Sequence, residues 1–356
     1  MSFDPNSLLR KHLVNLKSYS SARDEYTGKE GVFLDANENP YGSAGVKEAY
    51  NRYPDPYQQE VKQAIAKIKN IGTESIFLGN GSDEPIDLLI RAFCEPGKDK
   101  VITVPPTYGM YEVSAGINDV GIVKAPLNEN FQLDVKGVIS AAGSDTKILF
   151  LCSPNNPTGN LIRKEDLFTL LHQFPNLVVI DEAYIDFAPD AGFLPHLHRF
   201  PNLIVLQTLS KAWGLAGVRL GMAFASPEIV TILNRIKPPY NIAAPTQGIV
   251  REALGNVLAK EKMVADILEQ KNWLEDQLEA LPIVQHIYPS DANFMLVRVP
   301  KPKETYQFLI DQKVIVRDRS NVMHCHGCLR ITVGTRAENG ALLKAMALVK
   351  EDSFAN

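Results

Sequence analysis

From about residue 60 to residue 225 the chain alternates two kinds of segment, and few folds accommodate that alternation. One kind is a short run that is apolar at nearly every position: SIFLG (75–79), KVITVPP (100–106), KILFLCSP (147–154), NLVVID (176–181), LIVLQT (203–208) and VRLGMAFA (218–225). The other carries apolar residues at helical spacing, as in QQEVKQAIAKIKN (58–70), DEPIDLLIRAFC (83–94) and RKEDLFTLLHQF (163–174). A short run with no polar face suits a strand buried on both sides, and such strands occur in parallel sheets covered by helices. The chain is expected to form an α/β fold with a large, doubly wound, mostly parallel sheet.

The pattern changes at KPPYNIAAPTQG (237–248), where three prolines interrupt the chain. A long polar-rich helical stretch follows to about Leu281. Strand-like and helical segments then alternate again: NFMLVRV (293–299), TYQFLID (305–311), VIVRD (314–318), CLRITVG (328–334) and ALLKAMALV (341–349). The expected organisation is a large α/β domain over 34–242 and a small α+β domain over 243–356, with the N-terminal segment 1–33 joining the small domain.

Composition narrows the function classes. With 45% hydrophobic and 22% charged residues, a chain of 356 residues is too apolar to be disordered and long enough for a sizeable core. Lys and Arg number 37 against 41 Asp and Glu, a formal charge of −4, so no global cation is available for nucleic acid or an anionic membrane. No apolar run approaches the roughly 18 residues that span a bilayer. The N-terminus lacks the apolar core of a signal peptide. Four cysteines make no disulfide framework, and a reducing, cytoplasmic setting is expected.

Residues with chemical potential gather at the ends of the apolar runs. Lys211 lies in TLSKAWGLAGVRLG (208–221), at a turn just after one of them. Alone it reads as a surface lysine, but Thr208, Ser210 and Arg219 add two hydroxyls and a guanidinium fork, groups that hold a phosphate. A second phosphate element is GNGSDEPIDLLI (79–90). There Gly81 permits close backbone approach, and the N–H groups from Ser82 and Asp83 onward open a helix. It is neither a GxGxxG fingerprint nor a P-loop, and an ordinary helix cap would also explain it. Asp181 ends NLVVID, at the edge where open α/β sheets place ligands. A carboxylate buried there needs a cationic partner or a metal. Tyr184 follows three residues later. Asn156, in the turn SPNNPTG (153–159), offers a side-chain amide, and Tyr108, in PPTYGMY (105–111), offers a ring for stacking. One ligand uses an amine, a buried acid, a stacking ring, an amide and two phosphate holders together: pyridoxal 5′-phosphate.

With those residues in that order, the chain resembles the class I and II aminotransferases of the fold-type I pyridoxal-phosphate family. The resemblance runs from LDANENPYG (34–42) to CLRITVGT (328–335). It implies that Lys211 carries the cofactor as a Schiff base and that Asp181 pairs with the pyridine nitrogen. By the same resemblance Asn156 and Tyr184 contact the ring hydroxyl and Tyr108 stacks on the ring. Gly81, Ser82, Asp83, Thr208, Ser210 and Arg219 would hold the cofactor phosphate, and Arg330 the substrate carboxylate. Within the family the chain is similar to the enzymes that act on histidinol phosphate. That likeness implies substrate contacts from Tyr19 in NLKSYSSARD (15–24), Asn39, Tyr53 in NRYPDP (51–56) and Arg317 in VIVRD.

The implied reaction moves an amino group between histidinol phosphate and 2-oxoglutarate, giving imidazole acetol phosphate and glutamate in ping-pong fashion, a step of histidine biosynthesis. A homodimer with Tyr53 lent to the neighbouring subunit's site is implied as well. A threonine-phosphate decarboxylase and an aromatic-amino-acid aminotransferase share the same motifs and stand as alternatives. The chain departs from the family at VMHCHGCLR (322–330), where Cys325-x-x-Cys328 with His324 and His326 suggests zinc. No second ligand pair accompanies it, so the segment is read as a hairpin loop and no metal is expected.

Overall fold

The computed structural model describes residues 3–17 and 31–349. Seven strands form one sheet: β1 (Ile76–Asn80), β2 (Lys100–Thr103), β3 (Gly121–Lys124), β4 (Thr146–Cys152), β5 (Leu177–Asp181), β6 (Leu203–Thr208) and β7 (Leu220–Phe224). Their spatial order is β1-β7-β6-β5-β4-β2-β3. The apolar runs form strands because both sheet faces are covered. Alternate side chains point to opposite faces, so Val178 and Ile180 enter one core cluster while Leu177 and Val179 enter the other. Leu203 and Val205 against Ile204 and Leu206 repeat the division one strand over. Helices Gln59–Lys69 and Lys164–Gln173 cover the first face; Asp83–Phe93, Met110–Ile117 and Pro227–Ile236 cover the second. This is the doubly wound α/β sheet that the fold-type I resemblance implies.

Two features of the sheet depart from an all-parallel reading. β3 is a short, partly exposed edge strand whose sequence, GIVK, has no long apolar run to announce it. β7 runs antiparallel to both β6 and β1. The chain between β6 and β7 forms a tight loop with one short 3₁₀ turn and no crossover helix, so β7 can only come back beside β6 in the opposite direction.

After the proline-rich segment come helices Ala244–Leu254 and Val257–Glu279, separated at Gly255. A second, antiparallel sheet follows: β8 (His286–Tyr288), β9 (Phe294–Arg298), β10 (Arg317–Asp318) and β11 (Cys328–Thr332), in the order β10-β11-β9-β8. Its outer face packs Met295, Val297, Leu329 and Ile331 on helices Val257–Glu279, Pro302–Asp311 and Arg336–Ala347. Its inner face sends Leu296 and Cys328 into the cluster that holds Ile180 and Val205. Alternation along β11 therefore aims Arg330 at the large sheet.

The expectation that the N-terminal segment joins the small domain fails for residues 3–17. Leu9 and Leu13 pack into the second core cluster of the large sheet. The Arg10 N–H donates to the Ala92 carbonyl at 3.0 Å, and Arg235 Nη1 donates to the Leu13 carbonyl at 3.4 Å. Buried leucines at helical spacing found the nearest apolar groove, and helices Asp83–Phe93 and Pro227–Ile236 provide it. Among the described residues, no helix is long and apolar enough to cross a membrane.

Candidate active site

The parallel strands all end at one edge of the large sheet, and antiparallel β7 begins there. The segments after β1, β4, β5 and β6 and the residue before β7 thus meet across the small sheet. Between them lies a cavity of about 680 Å³. Asp181, at the last position of β5, and Lys211, three residues past β6, both line it.

Asp181 is buried, and its carboxylate is held from two directions. Tyr111 Oη donates to Oδ2 at 2.8 Å and the Ala183 N–H to Oδ1 at 3.0 Å. Burial pushes its pKa from 3.8 up to about 6, against the pull of those two donors and of Lys211. A cation placed in the cavity would favour the ionised form. Tyr111 escapes a reading of the strand ends because it sits inside a helix, Met110–Ile117. It stacks on Phe150 of β4 with ring centres 4.9 Å apart and planes 8° off parallel. Its place three residues after Tyr108 is the only signal in the sequence.

Lys211 enters the cavity with Nζ 5.5 Å from the centre of the Tyr184 ring. Burial and then the Arg330 charge lower its pKa, while Asp181 pulls the other way. A lowered pKa favours the neutral amine, the form that attacks a carbonyl or takes a proton. Tyr184 accepts from Asn156 Nδ2 at 3.3 Å, and burial raises its pKa, so its hydroxyl stays protonated. Asn156 Oδ1 in turn accepts from Arg330 Nη1. This chain of bonds ties the inner face of the small sheet to the end of β4.

A cradle for an anion lies at the end of β1. Gly81 takes φ +71°, and a Cβ there would sit 2.6 Å from Arg219 Nη2, so only glycine lets the guanidinium close over the turn. The helix Asp83–Phe93 begins without a side-chain cap on its first N–H groups. Thr208 Oγ1 donates to Ser210 Oγ at 3.0 Å beside it. Arg219 Nη2 lies 3.5 Å from Asp83 Oδ2, and Tyr108 Oη donates to Asp83 Oδ1 at 3.0 Å. Asp83 therefore orients the arginine and the tyrosine that frame the cradle. These residues fit pyridoxal phosphate: an uncapped helix start, hydroxyls and a guanidinium for its phosphate, an amine for its aldehyde, and a buried acid for its ring nitrogen.

Gly81, Ser82, Asp83, Tyr108, Asn156, Asp181, Tyr184, Thr208, Ser210, Lys211, Arg219, Arg317 and Arg330 all line this one cavity. Asn39 and Tyr53 do not. Asn39 Oδ1 accepts from the Tyr41 N–H at 3.0 Å in an exposed segment, and Tyr53 stacks on Tyr240 at 4.5 Å while 52% exposed. Tyr19 lies outside the described residues. The segment 319–327 connects antiparallel β10 and β11, so the histidine- and cysteine-rich stretch is a hairpin connection. Cys325 in the connection and Cys328 at the start of β11 are buried, and burial pushes the Cys325 thiol up to about 12. Among the described residues no cluster of metal-ligating side chains occurs. Arg319 also lines the cavity, and the sequence signal for it is its place two residues after Arg317.

Fold and site together define a pyridoxal-phosphate enzyme of the fold-type I class. The family model for aminotransferase class I and II matches residues 13–346. The histidinol-phosphate aminotransferase of Cytophaga hutchinsonii is 58% identical over 346 residues, covering 97% of this chain and 99% of that protein. Among solved structures, the histidinol-phosphate aminotransferase from Clostridium acetobutylicum superposes with a TM-score of 0.77 at 24% identity, over 84% of this chain and 90% of that one. The one from Sinorhizobium meliloti, in complex with pyridoxal-5′-phosphate, superposes at 0.75 and 22% identity, over 88% and 89%. The chain belongs to the class I and II aminotransferases and, within them, to the histidinol-phosphate aminotransferase family.

Two variants test the arrangement around Asp181. A carboxyl whose folded pKa is raised is neutral without penalty below its unfolded pKa near 3.8, and stability is lost as pH rises through about 6. Asp181→Asn is therefore expected to raise the stability of the cofactor-free protein at pH 8 by about 2 kcal/mol and to change it little at pH 4. Thermal melts at the two pH values check this; equal effects at both would contradict it. Tyr111→Phe removes one donor from the carboxylate and is expected to move the acid limb of the pH–rate profile upward by about one unit.

Proposed function

We propose that this aminotransferase exchanges the amino group between L-histidinol phosphate and 2-oxoglutarate, a step of histidine biosynthesis. The observation that carries the choice of substrate is a pair of like charges. Arg317 of β10 and Arg330 of β11 are direct cross-strand partners at the cavity, an unfavourable pairing that an anionic substrate offsets. Arg330 Nε is buried without a hydrogen-bond partner, which suits a ligand oxygen. One cavity can then take the carboxylate of glutamate in one half-reaction and the phosphate of histidinol phosphate in the other.

Pyridoxal phosphate, when bound, supplies the carbonyl that takes the amino group and a cationic ring that withdraws electrons from it. The chain's own residues supply the proton chemistry. Lys211 Nζ, whose proton affinity burial and Arg330 lower, takes the proton from the substrate Cα and returns it on the other side of the exchange. Asp181 holds the proton on the ring nitrogen. Tyr184 and Asn156 donate to the ring oxygen, Tyr108 covers the ring, and Gly81, Ser82, Asp83, Thr208, Ser210 and Arg219 hold the cofactor phosphate. Tyr19, Asn39, Tyr53, Arg317 and Arg330 contact the substrate.

The proposal includes a cytoplasmic homodimer whose protomers comprise the large domain 34–242 and the small domain 243–356. What supports the dimer is the segment before the first long helix, where Val32, Leu34 and Tyr41 are 89%, 87% and 97% exposed. Apolar side chains left this open mark a contact surface, and C₂ pairing is the commonest closed arrangement.

Purified enzyme supplied with 2-oxoglutarate is expected to convert histidinol phosphate at least about tenfold faster than phenylalanine, and to release no carbon dioxide from phosphothreonine; a 1.4 kcal/mol preference suffices for that ratio. Carbon dioxide release would overturn the reading. Borohydride is expected to fix the cofactor on the peptide that contains Lys211, as read by mass spectrometry; label on any other peptide would overturn the role of that lysine. For the shared site, Tyr53→Phe and Lys211→Ala homodimers are each expected to be poorly active. Mixed dimers should recover activity, since one of their two sites combines a native Lys211 with a native Tyr53. Proven subunit exchange without recovery would mean that Tyr53 does not act across the dimer.

A further inference from the structure

The β10–β11 hairpin carries more positive charge than a carboxylate clamp requires. Arg317 and Arg330 stand opposite each other across the ladder. The ladder continues one residue further, where the Arg319 N–H donates to the Cys328 carbonyl at 2.9 Å. Alternation therefore returns Arg319 to the face that bears Arg317 and Arg330, and all three line the cavity. Their charges act on one another: Arg317 lowers the proton affinity of Arg319, and both lower that of Arg330, each effect coming after burial.

The local partners do not absorb this charge. Arg330 Nη1 is bonded to the neutral Asn156 amide, and Arg319 Nη1 to the Asp318 backbone carbonyl at 3.0 Å. Asp318 is the carboxylate that Arg319 senses, yet its Oδ1 already accepts from the Ser320 N–H at 2.8 Å. Among the described residues, none of the three guanidinium groups is ion-paired with a carboxylate. The loop that follows is anchored by buried Cys325 and Cys328, so Arg319 is mounted on packed backbone.

A carboxylate is planar, carries one charge and is matched by a single guanidinium fork, which Arg330 provides. A phosphate monoester is tetrahedral, carries nearly two charges and presents three oxygens, more than one fork can cover. We infer that Arg319 is a specificity-determining residue, a third cation that joins Arg317 and Arg330 when this cavity holds a substrate phosphate group and is not needed when it holds a carboxylate. The inference rests on the proposed reading of the substrate as an amino phosphate, and goes beyond it by assigning discrimination between the two half-reactions to one side chain.

The test compares the holoenzyme with its Arg319→Gln and Arg319→Lys variants in both half-reactions. Arg319→Gln is expected to raise KM for histidinol phosphate about 10- to 100-fold, the range for losing a charge-assisted contact, with kcat and the KM for glutamate within about twofold of wild type. Arg319→Lys keeps the charge and is expected to recover part of the loss. Inorganic phosphate should compete with glutamate in the wild-type enzyme and about tenfold more weakly in Arg319→Gln. Equal rises in KM for both substrates, or no change in either, would overturn the assignment. If the wild-type enzyme does not turn over histidinol phosphate, the substrate reading fails. Phosphate competition then decides on Arg319 by itself: its loss in Arg319→Gln supports the assignment, and its persistence overturns it.

Discussion

A carboxylate buried at the end of a sheet is the constraint around which this site is arranged. Asp181 has both oxygens engaged, by Tyr111 and by the Ala183 N–H, and still has its pKa pushed up to about 6. Two donors do not replace the water that burial removes. The cavity therefore favours any ligand that brings a cation against that carboxylate, and a protonated pyridine ring is such a ligand. Lys211 faces the same cavity under the opposite bias, with burial and Arg330 favouring its neutral amine. An acid that favours a cation and an amine whose proton affinity is lowered thus face one cavity, with environments that push their pKa values in opposite directions.

The topology brings those groups together at little expense in loop length. Parallel strands deliver their ends to one edge, so Asn156, Asp181 and Lys211 arrive from β4, β5 and β6 without long excursions. Reversal of β7 completes the set. Because it starts where β6 ends, Arg219 falls beside Thr208 and Ser210, and its backbone carbonyl accepts from the Gly81 N–H at 2.8 Å. The residues that fit the cofactor are thus carried by the large sheet. Arg317, Arg319 and Arg330 come from the small sheet, and the Arg330–Asn156–Tyr184 chain of hydrogen bonds connects it to the large one.

Much of this could be read from the amino-acid order alone, and the reasons are physical. Strands buried on both faces leave continuous apolar runs, so β4, β5 and β6 and their chemical ends were plain to see. The direction of β7 was not, because an apolar run looks the same in either direction and only the short connection decides it. The docking of residues 3–17 was misplaced for a similar reason: Leu9 and Leu13 announce burial but not which groove receives them. Tyr111 was hidden because its role depends on the helix carrying it over Phe150 to the end of the neighbouring strand. Arg319 was hidden because strand alternation gives it meaning only once the hairpin's register with Arg330 is known. Asn39 and Tyr53 do not line the cavity of their own chain, and nothing among the described residues draws them in.

The central claim is that Asp181 keeps the ring nitrogen of the bound cofactor protonated across the working pH range. The ¹⁵N chemical shift of that nitrogen, measured in holoenzyme loaded with ring-labelled pyridoxal phosphate and titrated from about pH 6 to about pH 9, tests it directly, since one unit of pKa shift reports 1.36 kcal/mol of differential interaction. The account predicts a protonated-nitrogen shift throughout the titration. A shift that moves to the neutral-pyridine position within that range would contradict it.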